Sequence, residues 1–502
     1  MKLKLGRFEF SLGKQKPSRR QLPQQIKGKY DAAQTSNMNK MHWLNADGNS
    51  ADEANNPDVR RVLRNRSRYE RANNPYLDGL CTDMAAHVWG TGARLNFQDP
   101  DPEVNRLVQL AFMDWFIGAS MPDKFLTGYT AKVGDGEMFL VETDQFNQRS
   151  PVTLNYKLLE CERCTAGFKT NTKNNVDGVI LDDQGVVVGY TFSKEHPGGT
   201  ITMTSFLPND LETFRADQVI HLFDKTRPEQ HRGVPEITSA LPVGSKLRAF
   251  TLATLEAAKI AATFSGVLHT TGDAWDDQDS EGPDGDFESF DTFALDNGMM
   301  LTLPEGWDMT QAKAEHPTTT YRDFKRELVA ESAKSVGIPY NIAAGDSSDF
   351  NYASGNLDHL SFELIVEIRR AQVDNNALWM VFMKWFGEAV LIEGHLPEVV
   401  RMPGYQPRFQ WFYDGSYSSD PQKQATAIEK RLSNGSTTHF DVYSKEGQDV
   451  RVKFGQIAEA RKLARELDIE DIVFPPKFQE VANDGNDEPE EAPVPRQRAR
   501  SA

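Results

Sequence analysis

Three groupings in this 502-residue chain have the residue types for chemistry. Cys161 and Cys164 form a C-x-x-C, the spacing of a zinc half-site or a redox pair. The only other cysteine is Cys81, and no second C-x-x-C or spaced histidine pair completes four ligands. Leu154, Tyr156 and Leu158 alternate just before the pair, so a strand end is the expectation there rather than a metal or a redox couple. Gly345, Asp346 and Ser347 have the order of an esterase nucleophile block, but that serine should follow an early strand and be answered by Asp-x-x-His near the C-terminus. Here it lies far along the chain, and the adjacent Asp358 and His359 do not rebuild a triad. From Gly272 to Thr292 the chain carries Asp273, Asp276, Asp277, Asp279, Glu281, Asp284, Asp286, Glu288 and Asp291 with no basic residue. Such oxygen ligands suit calcium, yet the central Gly and terminal Glu of an EF-hand are not at the right spacing. A packed core cannot hold so many like charges, so the segment reads as an exposed insertion.

Other chemical signatures are missing. No G-x-x-x-x-G-K-[ST] is present to hold a triphosphate, the Gly90–Gly92 GTG has no acidic partner at dinucleotide spacing, and the ten histidines form no H-E-x-x-H. No catalytic residue, metal or cofactor is expected.

The elements that would position these residues follow from composition and periodicity. With 39% hydrophobic and 26% charged residues the chain is ordinary for a globular protein, and its length predicts two to four subdomains. Its formal charge of −17 excludes DNA wrapping over the whole surface. The longest apolar run, Ala377 to Ile392, is broken by Lys384 and Glu388 and reads as a buried helix rather than a membrane span. The start, MKLKLGRFEF, lacks an apolar core of signal-peptide length, so the protein is expected to be made and used in a cytoplasm.

Residues 1–28 are basic and polar, and predict a flexible arm that is either a solvated tail or a binding arm. Asp58 to Val88 reads as helix, broken near Asn73–Pro75. Its Arg60, Arg61, Arg64, Arg66, Arg68 and Arg71 could meet phosphate or pair with the chain's own acidic excess, within one subunit or between two; pairing is favoured. Short β-type runs follow at Gly136–Val141, Val152–Leu159, Val186–Phe192 and Val219–Phe223, giving an α+β body. A helix rich in alanine runs from about Val234 to Phe264, and MLTLP after Met299 reads as a strand. A helix begins at Tyr321 and is stopped by Gly337 and Pro339. The polar stretch Asn341–Asn356, NIAAGDSSDFNYASGN, predicts a long functional loop. Beyond it Leu357, Leu360, Leu364 and Ile368 recur at helical spacing, starting a helix that runs to about Val390. Asp420–Pro421 starts a group of small C-terminal helices, and the Asp-, Glu- and Pro-rich end from about Ala482 predicts disorder.

Several blocks, in order, resemble the lambda-like family of tailed-bacteriophage portal proteins, the head–tail connectors. They are KYDAA at Lys29–Ala33, RNRSRYERANNPY at Arg64–Tyr76, VWGTGARL at Val88–Leu95, VIHLFDKTRPEQHRGVP at Val219–Pro235, FKRELVAESAKSVGIPY at Phe324–Tyr340 and FNYASGNLD at Phe350–Asp358. The fourth and sixth are specific together, and none is a catalytic motif.

The resemblance implies a portal fold with a mixed α/β wing, helical stem, small α/β clip and helical crown, assembled as a ring. By order, 29–233 would be wing, 234–264 and 321–340 stem, 265–320 the clip with its acidic insertion at 272–292. Residues 341–355 would be the tunnel loop, 356–417 a long helix returning to the wing, 418–470 the crown and 471–502 a tail. The implied assembly is a homo-dodecamer at one capsid vertex in the virion, built in the host bacterial cytoplasm. Its implied partners are double-stranded DNA passing without sequence specificity, the terminase large subunit, a head completion or adaptor protein, the major capsid protein and a scaffold, with no membrane. Asp346, Ser347, Ser348, Asn351, Tyr352 and Ser354 would face DNA. Lys325, Arg326 and Lys334 on the preceding helix would supply weak cationic contacts or pair with a neighbouring subunit. Asp276, Asp277, Asp279, Glu281 and Asp284 would form a clip docking surface. Twelve copies would carry roughly −200 in all, and an acidic tunnel repels phosphate, which suits sliding. The alternative is a metal-dependent nucleic-acid-processing enzyme of the packaging apparatus.

Overall fold

The computed structural model describes residues 2–5, 8–11, 41–44, 46–167, 174–199, 210–263, 267–270, 307–310, 321–348, 350–413, 421–445 and 450–474. The acidic insertion 272–292, the strand expected after Met299 and the C-terminal tail from 475 lie outside them. The chain forms two compact units, Met1–Asn56 and Pro57–Ala502.

In the first unit, β1 (Lys2–Leu5) pairs antiparallel with β2 (Phe8–Ser11), setting Lys4 opposite Glu9. The leader expected to be an arm without structure therefore begins with a hairpin. Its Leu3, Leu5, Phe8 and Phe10 alternate with polar residues, the period of a strand. The short helix α1 (Ala51–Ala54) starts where the Ser50 hydroxyl accepts from the Glu53 amide at 3.3 Å.

The second unit opens with α2 (Pro57–Asn73) and α3 (Pro75–Trp89), split at the predicted Asn-Pro break, where Asn74 caps α3 through the Tyr76 amide and Pro75 takes its first turn. Then come β3 (Arg94–Phe97), α4 (Pro102–Gly118), α5 (Met121–Asp135), β4 (Glu137–Asp144), β5 (Leu154–Leu159), β6 (Asn175–Val176), β7 (Val179–Leu181), β8 (Val187–Ser193), β9 (Leu211–Arg215) and β10 (Val219–Phe223). The long helix α6 (Leu241–Thr263) follows, then β11 (Val267–Thr270) and β12 (Trp307–Thr310), which pair antiparallel. Next are α7 (Tyr321–Lys334), α8 (Tyr340–Ala344), α9 (Tyr352–Val373), a π-helical turn at Asp374–Leu378, α10 (Trp379–Ala389), α11 (Glu398–Arg401) and β13 (Phe409–Phe412), the partner of β3. The chain closes with α12 (Pro421–Ser433), α13 (His439–Lys445), α14 (Val450–Glu466) and α15 (Glu470–Val473).

The sheet β10-β4-β5 is antiparallel with β4 in the centre, and β4 is apolar on both sides. The two-residue period sorts its side chains. Met138 and Leu140, with Ile220 and Leu222 of β10, join the large helical core; Phe139 and Val141 face a second core with Val179, Tyr190 and Phe192 of the β6-β7-β8-β9 sheet. The Ala377–Ile392 run is buried as expected, through Val381, Phe382, Trp385, Phe386 and Ala389 of α10. The charges that interrupt it are paired: Lys384 reaches Glu142 at 3.0 Å, and Glu388 accepts from the Leu154 amide at 3.2 Å. Among the described residues no helix is long and apolar enough to cross a membrane.

At the end of β4 the fold is closed by buried charge. Glu137 and Arg232 are fully enclosed, and their carboxylate and guanidinium meet at 2.6 Å. Glu137 also accepts from the Gly233 amide at 3.0 Å and lies 3.0 Å from His221 Nε2. Arg232 donates to the carbonyls of Cys161 and Cys164, each at 3.1 Å, and to the Asp177 side chain, which Arg60 also holds. The arginines of α2 are thus largely satisfied within the chain: Arg64 at Glu137 and Glu162, Arg68 at Asp135 and Glu162, Arg71 at Asp78. Gly136 and Gly233 permit this closure. Gly136 has φ +102°, and a Cβ on Gly233 would stand 2.0 Å from the Gly136 carbonyl oxygen.

Burial alone would raise the Glu137 carboxyl, but Arg232 and His221 outweigh it and hold it well below its ordinary 4.5. Burial lowers His221 below its ordinary 6.5, outweighing the pull of Glu137. Both groups are therefore less protonated folded than unfolded, so their stabilisation is complete above the ordinary values and is lost as pH falls. Denaturant unfolding should show stability declining below pH 6.5 and more steeply below 4.5. Arg232→Met, which removes the closest charge partner of the buried Glu137, should lower stability by about 3–5 kcal/mol; a loss under about 1 kcal/mol would mean the network contributes little.

Candidate nucleic-acid interface between α7 and α9

The polar segment singled out by the sequence is shorter as a loop than expected. Gly337, at φ +82°, ends α7, and Pro339 leads directly into α8 (Tyr340–Ala344), which takes 341–344 out of the loop. Gly345, also left-handed at φ +61°, ends α8. At the other side Asn351 is the N-cap of α9: its side-chain oxygen accepts from the Ser354 amide at 2.8 Å, and the Ser354 hydroxyl donates to the Asn351 carbonyl at 3.1 Å. Tyr352 and Ser354 therefore lie in the first turn of α9, and among the described residues the open stretch is 345–348 and 350–351. Polarity that reads as loop in the sequence is partly the polarity of helix capping.

The short loop is tied down at its centre. Asp346 Oδ1 accepts from the Ser348 hydroxyl at 2.6 Å and amide at 3.0 Å, and Arg322 of α7 donates to the Ser348 hydroxyl at 2.9 Å while lying 3.8 Å from Asp346 Oδ2. The Ser348 hydroxyl and amide, followed by the charges of Arg322 and Arg326, hold the Asp346 carboxyl below its ordinary range. Arg326 lies over the Tyr340 ring at 4.8 Å and the Phe350 ring at 5.7 Å, and Lys325 lies over Tyr76 at 5.2 Å. These two cations thus face aromatic rings of their own chain, whereas Lys334 is exposed without an ion-pair partner among the described residues.

Ser347, Ser348 and Asn351 are exposed, and Asp346 and Ser354 are half-buried. The sequence reading missed Arg322; the available signal was its four-residue spacing from Arg326, which puts both on one face of α7. The Ser347 hydroxyl makes no hydrogen bond among the described residues, so nothing there activates it as a nucleophile.

The other chemical groupings resolve as packing. Cys161 lies in a 3-10 turn after β5 and donates to the Glu137 carbonyl at 3.0 Å; burial pushes the Cys164 thiol up to about 12. Glu160, Glu162 and His196 stand close enough to share a cation, but Arg64 and Arg68 occupy Glu162 at 3.2 and 3.0 Å and oppose positive charge there. The proposed clip acids Asp276, Asp277, Asp279, Glu281 and Asp284 lie outside the described residues.

The family model described as "Phage portal protein, lambda family" matches residues 37–370. The chain belongs to the lambda family of phage portal proteins. A search of curated proteins returns no match. Among solved structures the chain is similar to one titled "Virion of native gene transfer agent (GTA) particle", at 14% identity and TM-score 0.46, covering 81% of this chain and 96% of that one. It is also similar to "Neck of empty GTA particle computed with C6 symmetry", at 15% identity and TM-score 0.47, covering 74% and 88% respectively. Portal proteins of this family are structural, non-enzymatic components of the phage capsid, and the chain is accordingly a virion protein rather than the metal-dependent enzyme of the alternative reading.

If Arg322 and Asp346 order the loop, Arg322→Ala should speed amide exchange across 345–351 while leaving exchange in α10 unchanged. The Asp346 carboxyl is depressed, so its ordering effect is present above the ordinary aspartate value of 3.8 and is lost as pH falls below it. Loop exchange, corrected for intrinsic rate, should rise over that range in the wild-type protein and by less in the variant, where only the Ser348 contacts of Asp346 remain.

Proposed function

We propose that this portal protein assembles as a closed homo-dodecamer at a unique capsid vertex and forms the channel through which double-stranded DNA is packaged and ejected. The observation that carries this reading is the chemistry of the anchored loop. Its exposed Ser347, Ser348 and Asn351 offer neutral hydroxyl and amide groups, while Asp346 is compensated by Arg322 and Ser348. Such a surface can touch phosphates without gripping them or reading bases, as sequence-independent sliding requires. The acidic charge of −17 per copy acts in the same direction.

In this reading 345–351, with the first turn of α9, lines the narrowest part of the channel. The helices α6 and α7 form the stem, a division supported by their mutual packing through Phe250 against Tyr321 and Phe324, with ring centroids 5.6 and 5.2 Å apart. The β11–β12 pair, which follows α6 and precedes α7, belongs to the clip; residues 29–233 form the wing and α12–α14 the crown. The assembly would form in the host bacterial cytoplasm and dock the terminase large subunit, a head completion or adaptor protein, the major capsid protein and a scaffold.

Adding cations to the loop tests its place in the channel. The variant Ser347→Lys should assemble normally but package DNA more slowly, with the defect relieved by added salt, because the lysine of each copy introduces a screened phosphate contact. Packaging at the wild-type rate and salt dependence would put the loop elsewhere.

A further inference from the structure

Helix α9 has two apolar faces. Phe362, Val366 and Val373 point into its own core. The repeat Leu357, Leu360, Leu364 and Ile368, whose spacing marks the helix in the sequence, points outward with exposures of 64, 56, 59 and 54%. Four large aliphatics in line, each more than half exposed, form a continuous stripe rather than scattered surface residues. Glu363 and Glu367, one turn apart, run along one edge of it, and neither has an ion-pair partner among the described residues.

Helix α2 offers the complement. Its outward face carries Val59, Val62 and Tyr69, exposed by 37, 41 and 59%. Among them is Arg66, exposed and without an ion-pair partner among the described residues, although Arg60, Arg64, Arg68 and Arg71 on the same helix are all paired. The chain's own C-terminal segment is a poor cover for the α9 stripe. Residues 475–502 contain only Phe478, Val481 and Val494 as large apolar groups, and their acids Glu480, Asp484, Asp487, Glu488, Glu490 and Glu491 would face the glutamate edge.

We infer that these two faces are the halves of one head-to-tail interface between copies of this chain: the α9 stripe of one copy seats on the α2 face of the next, with Glu367 against Arg66. A ring needs such a heterologous contact, in which two different patches of each subunit meet, whereas a twofold dimer would match a patch with itself. The apolar centre supplies affinity, and the opposite charges at its edge fix register and direction. The inference rests on the ring reading above and names the surfaces that would build it.

The test measures assembly of the full-length protein by native mass measurement over a range of concentrations. Leu364→Asp, at an exposed site, should keep the monomer's thermal midpoint but raise the concentration needed for assembly by about tenfold or more. Glu367→Arg and Arg66→Glu should each weaken assembly, and the two together should restore it. Rings that survive Leu364→Asp, or a double charge reversal weaker than either single variant, would overturn the interface and leave the ring reading standing. A wild-type protein that stays monomeric at every concentration would overturn both.

Discussion

The Glu137–Arg232 pair is the constraint on which the rest of this subunit depends. It lies where separate pieces of chain meet, among them α2 through Arg60 and Arg64, β4 through Glu137, β10 through His221, the Cys161–Cys164 turn through its carbonyls, and the approach to α6 through Arg232 and Gly233. Burying so much charge is costly unless it is answered, and here the carboxylate accepts from the guanidinium and the Gly233 amide while the guanidinium also donates to the surrounding carbonyls. The consequence is direction. Three residues after Gly233, Glu236 receives Lys132 at 2.7 Å and Arg369 at 2.6 Å, so the same stretch that closes the sheet also fixes the start of α6 and the flank of α9. Helices proposed to line a channel are thereby oriented by a polar lock in the body rather than by their own contacts alone.

Much of this was legible because local rules and tertiary demands agree. The Asn73–Pro75 break, the strands around Val141 and Val219, the Gly337 stop and the Pro421 start all lie where capping and periodicity place them. What could not be read was the direction in which a pattern faces. Leu357, Leu360, Leu364 and Ile368 mark a helix, but periodicity shows only that an apolar face exists; that it is the outer one follows from Phe362 and Val366 already meeting the core. Polarity was likewise ambiguous at Asn351 and Ser354, where capping side chains looked like loop residues. The arginines of α2 illustrate the same limit. Their number left phosphate open beside the favoured pairing, and only Asp177, Glu137, Glu162 and Asp135, distant in sequence, show that the pairs lie within the chain.

One of the two blocks that make the family resemblance specific, VIHLFDKTRPEQHRGVP, has a physical explanation in these contacts. His221, Gln230, Arg232 and Gly233 all belong to the closure: Gln230 accepts from the Thr226 amide at 2.9 Å and donates to the Arg232 carbonyl at 2.8 Å, shaping the turn that delivers the guanidinium. The motif is a device for folding and orientation. That is consistent with a capsid component whose work is to hold shape rather than to catalyse, and it explains why groupings that resembled chemistry in the sequence, such as Cys161 and Cys164, turn out to be packed beside it.

The most direct measurement of the account is the shape of the purified full-length protein under the electron microscope. A channel for duplex DNA requires closed rings with an axial hole roughly 20 Å wide or more, enough to pass B-form duplex. Compact particles of one or two subunits with no axial opening, persisting at high protein concentration, would contradict it.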